Sequence, residues 1–252
     1  MGQLHQIRLL YLRSFRQTLR NMIWVVVGVS TPILYLVLFT PLLKHLVGSA
    51  FATGQVLDIF LPGILALMAF IGAISQGYTT IFELRSGLIE RLRVTPTSRF
   101  GLLISPILVN ITFNFVFMAM VVIIAAPLGF HVHLVGLLVA FVLLCILSTG
   151  FAAFSIALAL LTKDISSFAA PVNGINLPLM LLAGVLLPLT LAPAWIRVLA
   201  HIDPLYYAVE GARAAAGGKL SASAVWLAFA VLVPVTTLVL LWATRVYKKG
   251  VA

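Results

Sequence analysis

Residues 134–161 read LVGLLVAFVLLCILSTGFAAFSIALALL. No charge interrupts the run, which exceeds the about 20 apolar residues needed to cross the hydrocarbon of a bilayer. Apolar side chains occupy every face. A barrel strand would instead alternate over about ten residues. The stretch therefore reads as a transmembrane helix, and its neighbours read the same way.

Working outward, five more apolar stretches qualify: 22–43, 57–82, 100–126, 167–187 and 224–244. Pro32, Pro106, Pro171, Pro178 and Pro234 fall inside them. Membrane helices tolerate prolines where neighbours satisfy the freed carbonyls. The chain as a whole is 62% hydrophobic and 9% charged, against about 25% charged in a soluble domain. The predicted fold is all-α and integral to the membrane: one transmembrane domain over 1–252, with six spans. A lone cysteine, Cys145, excludes a disulfide within the chain and a cysteine metal cluster.

The formal charge of +10 does not point to nucleic acid, because the basic residues sit at span ends. Twelve gather at one set of ends: Arg8, Arg13, Arg16, Arg20, Arg85, Arg91, Arg93, Arg99, Lys163, Arg245, Lys248 and Lys249. Four lie opposite: Lys44, Arg197, Arg213 and Lys219. The bias predicts that both termini are cytoplasmic. Residues 1–20 form a separate element. Leu4, Ile7, Tyr11, Leu12, Phe15 and Leu19 gather on one side of a helical wheel and the arginines mostly on the other. This predicts an interfacial helix on the inner leaflet.

Chemistry is sparse. The nearest approach to a phosphate loop, Ala216-Gly217-Gly218-Lys219-Leu220, has Arg213 where the first glycine belongs and Leu220 where a serine or threonine belongs. All six acids (Asp58, Glu83, Glu90, Asp164, Asp203 and Glu210) lie at span ends or outside the spans. The mid-membrane carboxylate that marks ion-coupled transport is therefore missing. His131 and His133 are too few for zinc and read as a solvated turn. His201 and Asp203 have no activated serine nearby. Such a bundle is either a passive pore or is driven by a separate engine that grips its cytoplasmic face.

The segment 83–99 offers the grip. Leu84, Leu88 and Leu92 share a helical face, and Arg85, Glu90, Arg91 and Arg93 supply charge. Thr95 and Pro96 suit the N-cap and first position of the third span. The string Glu83-x-x-x-Gly87-x-x-Glu90-Arg91-Leu92-Arg93-Val94-Thr95-Pro96-x-Ser98-Arg99 resembles the cytoplasmic loop of ABC type-2 exporter permeases. A second stretch, from Leu187-Pro188-Leu189 through Trp195 to Asp203-Pro204-Leu205-Tyr206-Tyr207-Ala208-Val209-Glu210-Gly211-Ala212-Arg213, resembles the outer segment after their fifth span. The resemblance covers nearly the whole chain, and its nearest flavour is the daunorubicin-resistance permease type.

That resemblance implies a coupling helix over 84–93 that docks in a groove of an ATP-binding subunit. It implies an interfacial helix over 1–20 and a re-entrant outer segment over 189–223. The docking residues would be Glu83, Leu84, Arg85, Gly87, Leu88, Glu90, Arg91, Leu92 and Pro96. The outer gate would comprise Trp195, Asp203, Pro204, Tyr206, Tyr207, Glu210 and Arg213. It further implies a homodimer with two ATPase subunits, which would bind the ATP and Mg; this chain would hold no cofactor and catalyse nothing. Tyr35, Asn173, Asn176, Asn110 and Asn114 are candidates for the path or the dimer interface, with hydrogen bonds between helices as the rival reading of the asparagines. Cargo is expected to be an amphipathic drug-like molecule or lipid, with a polysaccharide or glycolipid, or a passive facilitator, as alternatives. The expected location is the inner membrane of a bacterium.

Overall fold

The computed structural model describes residues 3–20, 26, 28, 30–38, 41, 53–88, 99–185, 189 and 192–250. Every regular element among them is helical. We number the main helices α1 Gln3–Arg20, α2 Thr53–Arg85, α3 Arg99–Ala125, α4 Leu134–Thr162, α5 Ile165–Leu182, α6 Ala194–Ala200, α7 Pro204–Ala216 and α8 Ser223–Gly250. Five stretches are long and apolar enough to cross a membrane: Leu57–Arg85, Gly101–Leu128, Leu134–Thr162, Ile165–Leu182 and Ser223–Tyr247. The expected first span, 22–43, is described in part, and 26, 28, 30–38 and 41 within it are helical.

The centre is α4 with α2 and α8 against it. Lipid-soluble helices gain little from hydrophobic burial against one another, so close approach and hydrogen bonds must hold them. Small residues supply the approach. Ala69 and Ala73 of α2 are fully buried. A Cβ on Gly77 would stand 2.4 Å from the Ser155 hydroxyl oxygen of α4 and 2.2 Å from the Phe168 ring of α5. That hydroxyl accepts from the Gly77 N–H at 3.0 Å and donates to the Ile74 carbonyl at 2.6 Å. On the opposite side of α4, the Thr236 hydroxyl of α8 donates to the Ile146 carbonyl at 3.1 Å, beside Gly150.

The expected helix at the N-terminus forms, but it leans on the third span. The Tyr11 and Thr112 hydroxyls lie 3.0 Å apart, and Phe15 stacks on Phe113 at 5.4 Å. Thr112 and Phe113 are halfway along α3. The aromatic face of α1 thus finds protein partners there.

The fifth span starts and ends earlier than the apolar run suggests. The Asp164 side chain caps α5 by accepting from the Ser167 N–H at 2.9 Å. Gly184, at φ +63°, turns the chain left-handed just past Leu182. Only glycine takes that conformation without cost. The segment expected to be re-entrant holds two short helices, α6 and α7. Asp203 caps α7 and Pro204 fills its first position, where a missing N–H costs nothing. Helix α7 is wedged between α4, α8 and α2 and only brushes α5. Alanine and glycine let it in: a Cβ on Gly136 of α4 would sit 2.0 Å from the Ala215 carbonyl, and one on Gly211 would meet Ala228 of α8 at 2.5 Å.

Candidate coupling and gating sites

At the inner end, the grip begins differently from the pattern of leucines. Glu83, Leu84 and Arg85 form the last turn of α2, Ser86 and Gly87 form a turn, and Gly87 adopts φ +67°. A continuous helix over 84–93 is therefore not formed. The left-handed glycine breaks it, and Leu84 and Leu88 do not share one helical face. Among the described residues nothing lies within 4 Å of the place of a Cβ on Gly87.

The three residues before the bend are engaged within the chain. Glu83 faces Arg13 of α1 at 3.9 Å. Leu84 packs on the cluster built from Leu103, Ile156, Leu160 and Tyr247. The Arg85 guanidinium donates to Asp164 at 2.8 Å. Asp164 also accepts the Ser167 N–H, and this bond, with Arg85 nearby, holds its carboxyl below the usual carboxylate range. The last turn of span two is thereby tied to the cap of span five. Glu90, Arg91, Leu92 and Pro96 lie outside the described residues.

At the outer end, Asp203 is 3% exposed. One oxygen accepts the Leu205 N–H at 2.8 Å, while the other is buried without a partner. Burial pushes the carboxyl up to about 6, against the lowering effect of that single hydrogen bond. Beside it stand three rings. Tyr206 and Tyr207 have centroids 5.2 Å apart, and His201 lies 5.3 Å from Tyr206. The Tyr207 hydroxyl donates to the His201 carbonyl at 3.0 Å. Trp195, Val198 and Ile202 are exposed around them, an apolar fringe suited to the lipid interface.

Arg213 draws this end together. Its Nη1 pairs with Glu210 at 2.5 Å, its Nε donates to the Ile59 carbonyl of α2 at 2.8 Å, and its Nη2 donates to the Gly184 carbonyl at 3.0 Å. Burial lowers its pKa, and the adjoining Glu210 partly offsets that effect. A second outer contact was invisible in the sequence. His131, expected to be merely solvated, donates its backbone N–H to Asp58 at 3.0 Å and sets its ring nitrogen 2.8 Å from the other carboxylate oxygen.

The candidate path residues separate. Asn110 and Asn114 are each 5% exposed and sit inside the protomer. Both donate to the Ser148 hydroxyl of α4, at 2.8 and 3.0 Å, beside Gly72 of α2. They tie α3 to α4, with their side chains facing inward, where Gly72 leaves room for them. Tyr35 packs on the edge of the main core. Asn173 is exposed, and the Asn176 oxygen is shielded without a partner among the described residues. Helix α5 as a whole buries only Phe168 and Val172 among its 18 residues.

A multi-pass helical membrane protein with its charges confined to span ends is the class defined by this arrangement. Its sequence matches the ABC-2 type transporter family over residues 5–216, and the chain belongs to that family of transport permeases, whose members pair with an ATP-binding subunit. It is similar to the putative transport permease ycf38 of Cyanophora paradoxa, 31% identical over 80% of this chain and 70% of that protein. It also resembles ycf38 of Porphyra purpurea, 28% identical over 83% of this chain and 73% of the relative.

Proposed function

We propose that this chain is the membrane half of an ATP-driven exporter that moves an amphipathic compound, a drug-like molecule or a lipid, outward across the inner membrane of a bacterium. It works as a homodimer with two ATP-binding subunits, which bind the ATP and Mg, and both its termini are cytoplasmic. The observation that carries this reading is α5. An 18-residue span with two buried residues and two asparagines, one shielded without a partner, is poorly suited to lipid on all sides, since intramembrane polar groups seek protein or water. A second copy across this face would cover it and leave a path beside Asn173 and Asn176. The apolar fringe of Trp195, Val198 and Ile202 at the exit suits cargo that partitions into lipid more than a sugar polymer.

Cysteine placed at Asn173, in a Cys145→Ala background, should cross-link to its copy in the native membrane. Vesicles holding the permease and its ATP-binding subunit should move a fluorescent amphiphile only with hydrolysable ATP. Transport that continues without the ATP-binding subunit would favour the passive facilitator instead.

A further inference from the structure

The outward end of the bundle has one side chain shared by three elements. The Arg213 side chain is 11% exposed. It bonds a carbonyl of α2, a carbonyl at the end of α5 and a carboxylate of α7. The Gly184 carbonyl belongs to interrupted backbone, and Ile59 directly follows Asp58, whose carbonyl is the one that Pro62 leaves without its helical donor. Gly184 lies in the left-handed turn that ends α5. The same place shows the closest backbone approach of α2 to this turn, since a Cβ on Gly63 would stand 2.1 Å from the Val185 carbonyl. A planar fork of five donors can serve three acceptors in different directions, whereas a lysine ammonium cannot reproduce that fork.

We propose that Arg213 is a positioning residue that locks the outer ends of spans two and five to the re-entrant helix α7, so that tilting of α2 is delivered to the exit as motion of one body. This deepens the reading of the outer segment as the exit of an exporter and rests on it. The lock stays closed through the cycle, because opening it strands a desolvated guanidinium and the Gly184 carbonyl at the end of α5. Helix α2 is the natural transmitter. From the Arg85–Asp164 tie to the Ile59 carbonyl it extends about 40 Å.

The test uses spin labels on cysteines at Ile59 and Val198 in a Cys145→Ala background, with Arg213 intact or changed to Gln or Lys. In the permease alone, the intact protein should give one narrow interlabel distance. R213Q should broaden it, and R213K should fall between. In vesicles with the ATP-binding subunit, R213Q should lower export on the order of tenfold, the usual size of a coupling between sites, while ATP hydrolysis persists. A narrow distance in R213Q overturns the lock. A broadened distance with full export, or lost export with an unchanged distance, overturns its role in transmission. If the unsubstituted complex exports nothing, the functional reading fails, and the distances in the permease alone still decide the lock.

Discussion

Arg85 and Asp164 meet at 2.8 Å and join the last turn of span two to the cap of span five. The pair is exposed, with side-chain exposures of 52% and 46%, so solvent screening leaves it little weight in stability. Its value is geometric, since a push on the segment after Gly87 reaches α5 through it. Arg85→Ala should leave the melting temperature nearly unchanged and reduce ATP-driven export severalfold. A variant that exports normally would show that the push travels by another route. The Asp164 carboxyl is held low, so whatever stability it adds is present above the ordinary carboxylate pKa near 4 and fades only as pH falls through its lower folded value. No change from this pair is expected between pH 5 and 8.

Asp203 has the opposite sign. Its carboxyl titrates near 6 when folded, against 3.8 ordinarily, so the folded state holds its proton more tightly. Stability should decline as pH rises from about 4 to about 6 and then level off, with a total cost of at most ~3 kcal/mol. Asp203→Asn keeps a capping side chain and removes the titration. Melting curves at pH 5 and 7.5 should differ more for the native protein than for D203N. Equal differences would place the Asp203 pKa at its ordinary value.

Ser148 serves two asparagines at once. Removing either amide loses one bond, about 0.6 kcal/mol in membrane proteins on average. Ser148→Ala strands both, which costs ~1–3 kcal/mol for each buried group left unpaired. S148A should therefore be more destabilising than N110A or N114A alone, and nearly neutral once both asparagines are alanine. Unfolding in mild detergent reads this cycle. Export by the single variants should be close to normal, because both side chains are buried within the protomer.

The apolar runs made the spans legible because lipid demands long uninterrupted helices, and 134–161 shows this with no ambiguity. Local chemistry was legible too: Asp203-Pro204 announced the start of α7. What could not be read were contacts across the bundle. Nothing in the sequence links Asp58 to His131, or Arg213 to Ile59 and Gly184, since these pairs are set by how the helices pack. The break between Leu84 and Leu88 was hidden for a related reason. The leucine spacing at 84, 88 and 92 suggested one helix, and the left-handed conformation of Gly87 overrode it. Asn110 and Asn114 share a helical face whether they line a path or tie two helices, and only the position of Ser148 separates the cases.

Two glycines give a final contrast. Gly136 touches the Ala215 backbone so closely that an added Cβ would stand 2.0 Å from the carbonyl oxygen. Neither partner is a flexible side chain, so α4 and α7 would have to part. Gly136→Ala should destabilise by ~1–3 kcal/mol, the usual cost of forcing atoms into a packed site. Gly174 of α5 is exposed, and among the described residues nothing lies within 4 Å of the place of its Cβ. Within one protomer, Gly174→Leu should be harmless or slightly favourable, because leucine is the better helix former. If a second copy packs on this face, the bulk of leucine would push the copies apart. The two effects separate cleanly: G136A lowers the melting temperature of the protomer, while G174L leaves it intact and shifts the molecular mass in detergent from dimer toward monomer. A G174L protein that remains dimeric would move the interface off α5.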